Sequence, residues 1–257
     1  MDSDALIASF DLPARCRVDQ RVPKKMLVEH GAPTSMDKRL INEAIEEVQW
    51  VAALKANTIG VAAYRDDERE YLEIALLVVT LREERTTAAQ QTRLIELIHR
   101  AVPYPLLLVL EAGPKLWLSL AHKRWSQNEA GKMVLDGEVV RLCLPDDAPS
   151  DEALQQFMAS LGISRRPHAH LHALYQGWMD ALTALHAARL TGRFTLAEGP
   201  EQVVARRHAL AQCQQLEAEA AHLRAQAKKE KQIARQVELN LRLKRVEAQL
   251  AACREQL

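Results

Sequence analysis

Residues 201–257 constrain this chain more than any other stretch. From Arg206 onward there is no proline and no glycine, and Ala, Leu, Glu, Gln, Lys and Arg dominate. These are the strongest helix formers, because they lose little side-chain freedom on a helix and offer the backbone no competing hydrogen bond. Cys213, Leu216, Ala220, Leu223 and Ala227 follow alternating three- and four-residue steps, as do Leu239, Leu243, Val246, Leu250, Cys253 and Leu257. The spacing predicts one long charged helix carrying a coiled-coil seam of Leu216, Leu223, Val237, Leu243, Val246, Leu250 and Leu257. The two apolar stretches lie in different registers, and the basic residues 228–240 separate them. Fifty helical residues span about 75 Å, more than a domain of this size can cover, so the helix requires a partner. Three partners fit: a second copy of the chain, the chain's own body, or a different protein.

The rest of the chain changes period repeatedly. Thr34-x-x-Asp37 has the form of a capping box, and Ile41, Ile45, Val48 and Ala52 follow it on one helical face. A helix is therefore predicted to run to about Asn57. Residues 58–64 and 71–82 read as strands, the second with Leu72, Ile74, Leu76 and Val78 on one face. Thr87-x-x-Gln90 opens a second helix, stopped at Val102-Pro103. Residues 104–111 are nearly all apolar, as in a central strand buried on both faces, and Leu116, Leu118 and Leu120 alternate on the strand returning from Gly113-Pro114. Asp136-Gly137 predicts a tight hairpin between strands 132–135 and 138–144. From Ser150 the pattern is helical: Leu154, Phe157, Met158 and Leu161 line a short helix, and Leu171 to Leu185 a longer one ending at Thr191-Gly192. The predicted fold class is α+β, a largely antiparallel sheet with flanking helices, then a helical pair and the coiled-coil helix. The corresponding division is an α+β domain at 1–148, a helical segment packing on it at 149–195, a linker at 196–205 and the tail at 206–257.

Charge and composition bound the function. Of 257 residues, equal numbers are basic and acidic, but residues 201–257 hold eleven Lys/Arg against seven Asp/Glu, a net of about +4 balanced by the body. The four cysteines show no C-x-x-C spacing, so reduced thiols in a cytoplasmic protein are expected. The first residues lack the basic and apolar regions of a signal peptide, and no apolar run reaches bilayer-spanning length. Aromatic content of 4% leaves little for stacking on single-stranded nucleic acid.

Few residues carry chemistry. His168-x-His170-x-His172 has no carboxylate or cysteine nearby in sequence, and a solvated loop is expected in place of a metal site. A metal-dependent nuclease needs an acid on one strand and an acid-x-Lys on the next. Asp66, Asp67, Glu70 and Glu73 supply acids, but neither 71–82 nor 104–111 holds acid-x-Lys. No nucleotide-binding, serine-hydrolase or zinc-protease motif is present, so no catalytic residue, metal ligand or cofactor is assigned. The expected contacts to nucleic acid or a partner are cationic and polar: Lys24 and Lys25 after a proline, and His122, Lys123 and Arg124 at a strand end. In the tail they are Lys228, Lys231, Arg235 and Asn240, the first three on one helix face.

Several segments together resemble one bacterial family of uncharacterised domain proteins. They are Phe10-Asp11-Leu12-Pro13, Val22-Pro23-Lys24-Lys25, Val102-Pro103-Tyr104-Pro105 and Ser119-Leu120-Ala121-His122-Lys123. Leu174-Tyr175-Gln176-Gly177-Trp178, Ala188-Arg189-Leu190-Thr191-Gly192, Glu230-Lys231-Gln232 and Arg235-Gln236-Val237-Glu238-Leu239-Asn240 continue it. Members are often encoded beside helicases and DNA methyltransferases in antiviral defence loci. The resemblance implies a non-enzymatic accessory subunit of a defence or restriction-like assembly, with a helicase or methyltransferase as partner. The alternatives are a divergent metal-dependent nuclease or a DNA-binding module.

Overall fold

A computed structural model describes residues 2–82, 86–129, 131–144 and 151–257. It divides into two compact units, Met1–Leu182 and Thr183–Leu257. Of the expected boundaries, that at 148/149 lies outside the described residues.

The first unit opens with α1 (Ser3–Ser9), capped by the Asp2 carboxylate, then β1 (Arg17–Arg21) and α2 (Lys24–Gly31). Helix α3 (Ser35–Ala44) starts at Thr34, whose hydroxyl accepts the Asp37 N–H at 3.1 Å. The chain then turns directly into β2 (Ile45–Lys55), so the helix expected to reach Asn57 is half its predicted length. Two register shifts, between Ile45 and Glu47 and between Trp50 and Ala52, break the two-residue alternation of β2. They leave its buried residues at spacings that mimic a helix. A single helical turn, α4 (Ala56–Ile59), and short strands β3 (Tyr64–Arg65) and β4 (Glu70–Tyr71) replace the strand expected at 58–64.

Strand β5 (Glu73–Leu81), helix α5 (Ala88–Ala101) and strand β6 (Leu106–Ala112) form a β-α-β unit. Strand β7 (Lys115–Trp125) returns beside β6, and β8 (Met133–Leu144) beside β7. The six-stranded sheet has the order β1-β2-β5-β6-β7-β8 and is antiparallel except at β5/β6. The sheet and its flanking helices are therefore the expected α+β class. Leu72, expected on the buried face, lies between β4 and β5 and is exposed.

Both faces of the parallel pair are covered. Ala75, Leu77, Val79 and Leu81 of β5 and Leu106, Leu108 and Leu110 of β6 pack with Leu27 of α2, Ile41 of α3 and Leu94, Ile95, Leu97 and Ile98 of α5. Gly31 makes that layer possible, since a Cβ there would sit 2.5 Å from the Leu97 carbonyl oxygen. On the other side α7 (Leu171–Thr191), whose residues up to Leu182 belong to this unit, is tied to the sheet through Tyr175, and α6 (Glu152–Ser160) packs beside α1. Phe10 meets Trp178 edge-on at 5.5 Å, and the buried Trp178 indole donates to the Leu161 carbonyl at 2.8 Å. The Tyr175 hydroxyl accepts the Ala121 N–H at 2.8 Å and donates to the Leu106 carbonyl at 2.8 Å.

Asp136-Gly137 is not a hairpin turn. It lies inside β8, where the register with β7 jumps from Leu120↔Val140 to His122↔Asp136 and Gly137 has φ 80°. The positive-φ signal is real, but here it serves a bulge.

The second unit overturns the single-helix tail. Helices α8 (Pro200–Lys229) and α9 (Ile233–Arg254) form an antiparallel hairpin that turns at residues 230–232. Glu230 leaves helical geometry, and its carboxylate accepts the N–H groups of Lys231 and Gln232 at 2.8 and 2.9 Å. The Gln236 amide donates back to the Ala227 carbonyl at 3.2 Å. Cys213, Leu216, Ala220 and Leu223 of α8 bury against Val246, Leu250 and Cys253 of α9, with Leu239, Leu243 and Leu257 partly buried at the edge. Arg224–Glu247 and Arg254–Glu217 pairs, at 2.6 and 2.9 Å, cross the same seam. The change of register marks the turn between two helices that partner each other. Val237, expected in the seam, points away from it and is 53% exposed.

Asp37 ties α3 to α5. Its carboxylate takes two bonds from the Arg93 guanidinium, at 2.9 and 3.0 Å. Those bonds hold its acid down at about 2, despite burial. A depressed carboxylate contributes stability above its unfolded value and loses it as pH falls through its folded one. Asp37→Asn is expected to cost about 2 kcal/mol near neutrality. It should also flatten the stability profile between pH 4 and 2, read as urea midpoints across that range.

Candidate functional site

The densest polar cluster of the first unit forms where the β3–β4 hairpin meets β7 and the start of α7. Four rings form a column. His170 lies 4.5 Å from Tyr64, Tyr64 stacks on His172 at 5.0 Å, and His172 stacks on His122 at 5.0 Å. Tyr71 meets His172 edge-on at 4.9 Å, and Tyr175 closes the inner side 5.5 Å from His122.

The β8 bulge and the strand pleat assemble this site. Successive side chains of β7 alternate in direction, so His122, Lys123 and Arg124 part company. His122 enters the ring column, where the Tyr71 hydroxyl donates to its Nδ1. That bond leaves Nε2–H to donate to Gln176 Oε1 at 2.8 Å, and the Gln176 amide donates to Asp180 at 2.6 Å. The bulge places Asp136 opposite His122 and against Arg69, whose Nη2 lies 2.7 Å from the carboxylate, with Arg124 at 3.8 Å. Asp66 accepts the Tyr64 hydroxyl at 2.7 Å and the N–H groups of Glu68 and Arg69, which shapes the turn of the hairpin.

Electrostatics favour the neutral forms of Tyr64, Tyr71, Tyr175 and His172. Burial raises the Tyr71 and Tyr175 phenols, so both stay protonated. The Tyr64 phenol is raised first by its bond to Asp66, and the Asp66 acid is lowered by the same bond. His172 is lowered by burial and then by the nearby His170 and Arg69. The result is a clamp of protonated phenols packed around a His172 imidazole whose neutral form burial favours. Among the described residues, no group of three or more His, Cys, Asp or Glu is arranged to hold a metal ion. Of the acids considered for a nuclease, Asp66 is spent as described, Glu70 pairs with Arg65 at 3.4 Å and Glu73 with Lys55 at 2.9 Å.

The expected contact residues have diverse placements. Lys24 donates to the carbonyls of Asn42 and Ile45, at the end of α3, and burial lowers its ammonium. Lys25 is exposed and pairs with Glu29 at 3.5 Å. Lys123 is not a surface cation: it is 1% exposed and donates to the His99 and Val102 carbonyls at the end of α5. Burial pushes its ammonium down to about 7, while those carbonyls and the negative helix end favour its charge. Lys228, Lys231, Arg235 and Asn240 are exposed, but the turn at 230–232 puts Lys228 and Arg235 on different helices. His170 and His172 were expected in a solvated loop. Their partners Tyr64 and Tyr71 lie about a hundred residues away in sequence, and no local spacing signals the contact. His168 is exposed in the loop, its ring nitrogen donating to the Arg166 carbonyl at 3.1 Å, while His170, in the bend before α7, accepts the Ala173 N–H at 3.0 Å.

The fold and site define an α+β protein with an imidazole–phenol clamp and a C-terminal helical hairpin. The chain belongs to the family described as Domain of unknown function (DUF4391), which matches residues 10–250. No curated protein and no solved structure matches it. No helix among the described residues is long and apolar enough to cross a membrane.

The clamp has a testable pH signature. An imidazole lowered on folding stabilises the fold above its unfolded pKa near 6.5, and that contribution fades as pH falls through the folded value. His172→Phe keeps a stacking ring but cannot ionise. The protection factors of the amides across residues 64–71, which correct for the intrinsic slowing of exchange in acid, should fall from pH 7 to 5 in the natural chain and much less in the variant.

Proposed function

We propose that this protein is a non-enzymatic accessory subunit of a bacterial antiviral-defence or restriction-like assembly. It works in the cytoplasm beside a helicase or DNA methyltransferase and docks through the α8–α9 hairpin. One observation carries the docking role. Helix α9 is apolar on two opposite faces: one fills the seam, and the other displays Ile233, Val237 and Leu241 in four-residue steps, 79%, 53% and 55% exposed. An exposed stripe of large aliphatic side chains has no use in an isolated hairpin, whereas a partner helix gains by covering it. The link to helicases and methyltransferases comes from the neighbourhood of the family members that the chain resembles.

A second reading, direct contact with DNA, has its own observation. Lys228, Lys229, Lys231, Arg235, Arg242, Lys244 and Arg245 gather near the hairpin turn with only Glu230 and Glu238 among them. None of these seven cations forms a salt bridge among the described residues. Phosphates would meet the cations but would gain nothing from the stripe.

Val237→Glu leaves the seam untouched and puts a charge in the stripe. Full-length tagged protein is expected to co-purify with the helicase or methyltransferase encoded beside it, and the variant to lose at least tenfold of that yield with unchanged helical circular dichroism. Retention by the variant would remove the hairpin from the docking role. Absence of both enzymes with the natural chain would remove the assembly. Salt-sensitive binding of labelled duplex DNA, lost when Lys228 and Arg235 become Glu, would favour the second reading.

A further inference from the structure

Two of the four cysteines meet inside the hairpin. Cys213 on α8 and Cys253 in the last turn of α9 are 0% and 2% exposed and belong to the same buried seam. They sit on facing helices of that seam, and the Cys253 side chain is close enough to raise the Cys213 thiol. The Cys253 thiol also donates to the Ala209 carbonyl, one turn before Cys213, at 3.2 Å. Ala209 and Ala220 flank the contact and let the helices approach closely. Cys16 and Cys143 lie in the other unit, Cys16 with its thiol on the Pro13 carbonyl.

We propose that Cys213 and Cys253 are a redox pair, and that peroxide converts them to a disulfide that staples α9 to α8. The two cysteines share one buried seam on facing helices, and the Cys253 sulfur lies against the α8 backbone one turn before Cys213, so a disulfide would not need to move the backbone far. Closed, the pair is inert: burial, and then the neighbouring Cys253, push the Cys213 thiol up to about 12, and thiolate is the reactive form. Reaction starts when the last turn of α9 frays and bares Cys253, one residue before the helix ends at Arg254. The Cys253 thiolate attacks one peroxide oxygen, the O–O bond breaks, and a sulfenic acid and hydroxide form. As the turn closes, the Cys213 sulfur attacks the sulfenic sulfur, the S–S bond forms and the S–O bond breaks. Water leaves with the Cys213 proton. Two thiols lose two electrons and two protons, and one hydrogen peroxide becomes two waters. The staple closes a loop of about forty residues, which lowers the population of the opened hairpin by roughly 10²- to 10³-fold.

Full-length protein treated with hydrogen peroxide and digested without reductant tests this. The expected product is one linked pair of peptides, carrying Cys213 and Cys253. It should form equally in a Cys16→Ser, Cys143→Ser variant and disappear in Cys213→Ala and in Cys253→Ala. Amide exchange of the hairpin should slow by about 10²-fold or more in the oxidised protein and return to its starting rate with dithiothreitol. Oxidation of Cys143 while Cys213 and Cys253 remain free thiols would overturn the proposal, because the reagent would have acted and the pair would not. A linkage running through Cys16 or Cys143, or a linked pair with unchanged exchange, would overturn it equally.

Discussion

The parallel pairing of β5 with β6 is the constraint on which the first unit depends. Parallel strands need a crossover, and α5 supplies it on one face of the sheet. Strands so placed are apolar on both sides, and the second face must be covered as well. Helix α7, up to Leu182, does so, and Tyr175 is the fastening. Its hydroxyl bridges the Leu106 carbonyl and the Ala121 amide, so a polar atom brought into the core loses nothing by leaving water.

The imidazole–phenol clamp follows from that fastening. Once Tyr175 is seated, His172 and Gln176 lie near β7, and the β8 bulge brings Asp136 to the same place. The β3–β4 hairpin is too short to hold itself, and it is kept by Tyr64 and Tyr71 stacking into the histidines. The clamp therefore orders a weak element with rings, assisted by the Arg69–Asp136 ion pair.

The hairpin solves a different problem with the same forces. Its seam is built from small and aliphatic side chains, and the charged pairs across it are exposed and weak. Burial of the seam holds α8 and α9 together, which leaves the opposite face of α9 available. One apolar face of α9 thus serves the fold, and a second, with Ile233, Val237 and Leu241, stays exposed.

Local chemistry made much of this legible in the sequence. The capping residues Thr34 and Thr87, the doubly buried β6, the Leu116–Leu118–Leu120 alternation and the helical character of the tail depend on neighbours within a few residues. Two features were visible but ambiguous. Bulges gave β2 the spacing of a helix, and Asp136-Gly137 announced a positive φ without saying whether a turn or a bulge would use it. The register break in the tail was readable too, yet without proline or glycine nothing local required a reversal; burial of two facing seams did. The ring clamp, the inward Lys123 and the meeting of Cys213 with Cys253 were beyond the sequence, because each joins residues that only the folded chain brings together. The amino acids by themselves determined which segments are helix-forming, which are apolar and where the charge lies. Tertiary structure decided which apolar face meets which, because burial is non-directional and only packing chooses the partner.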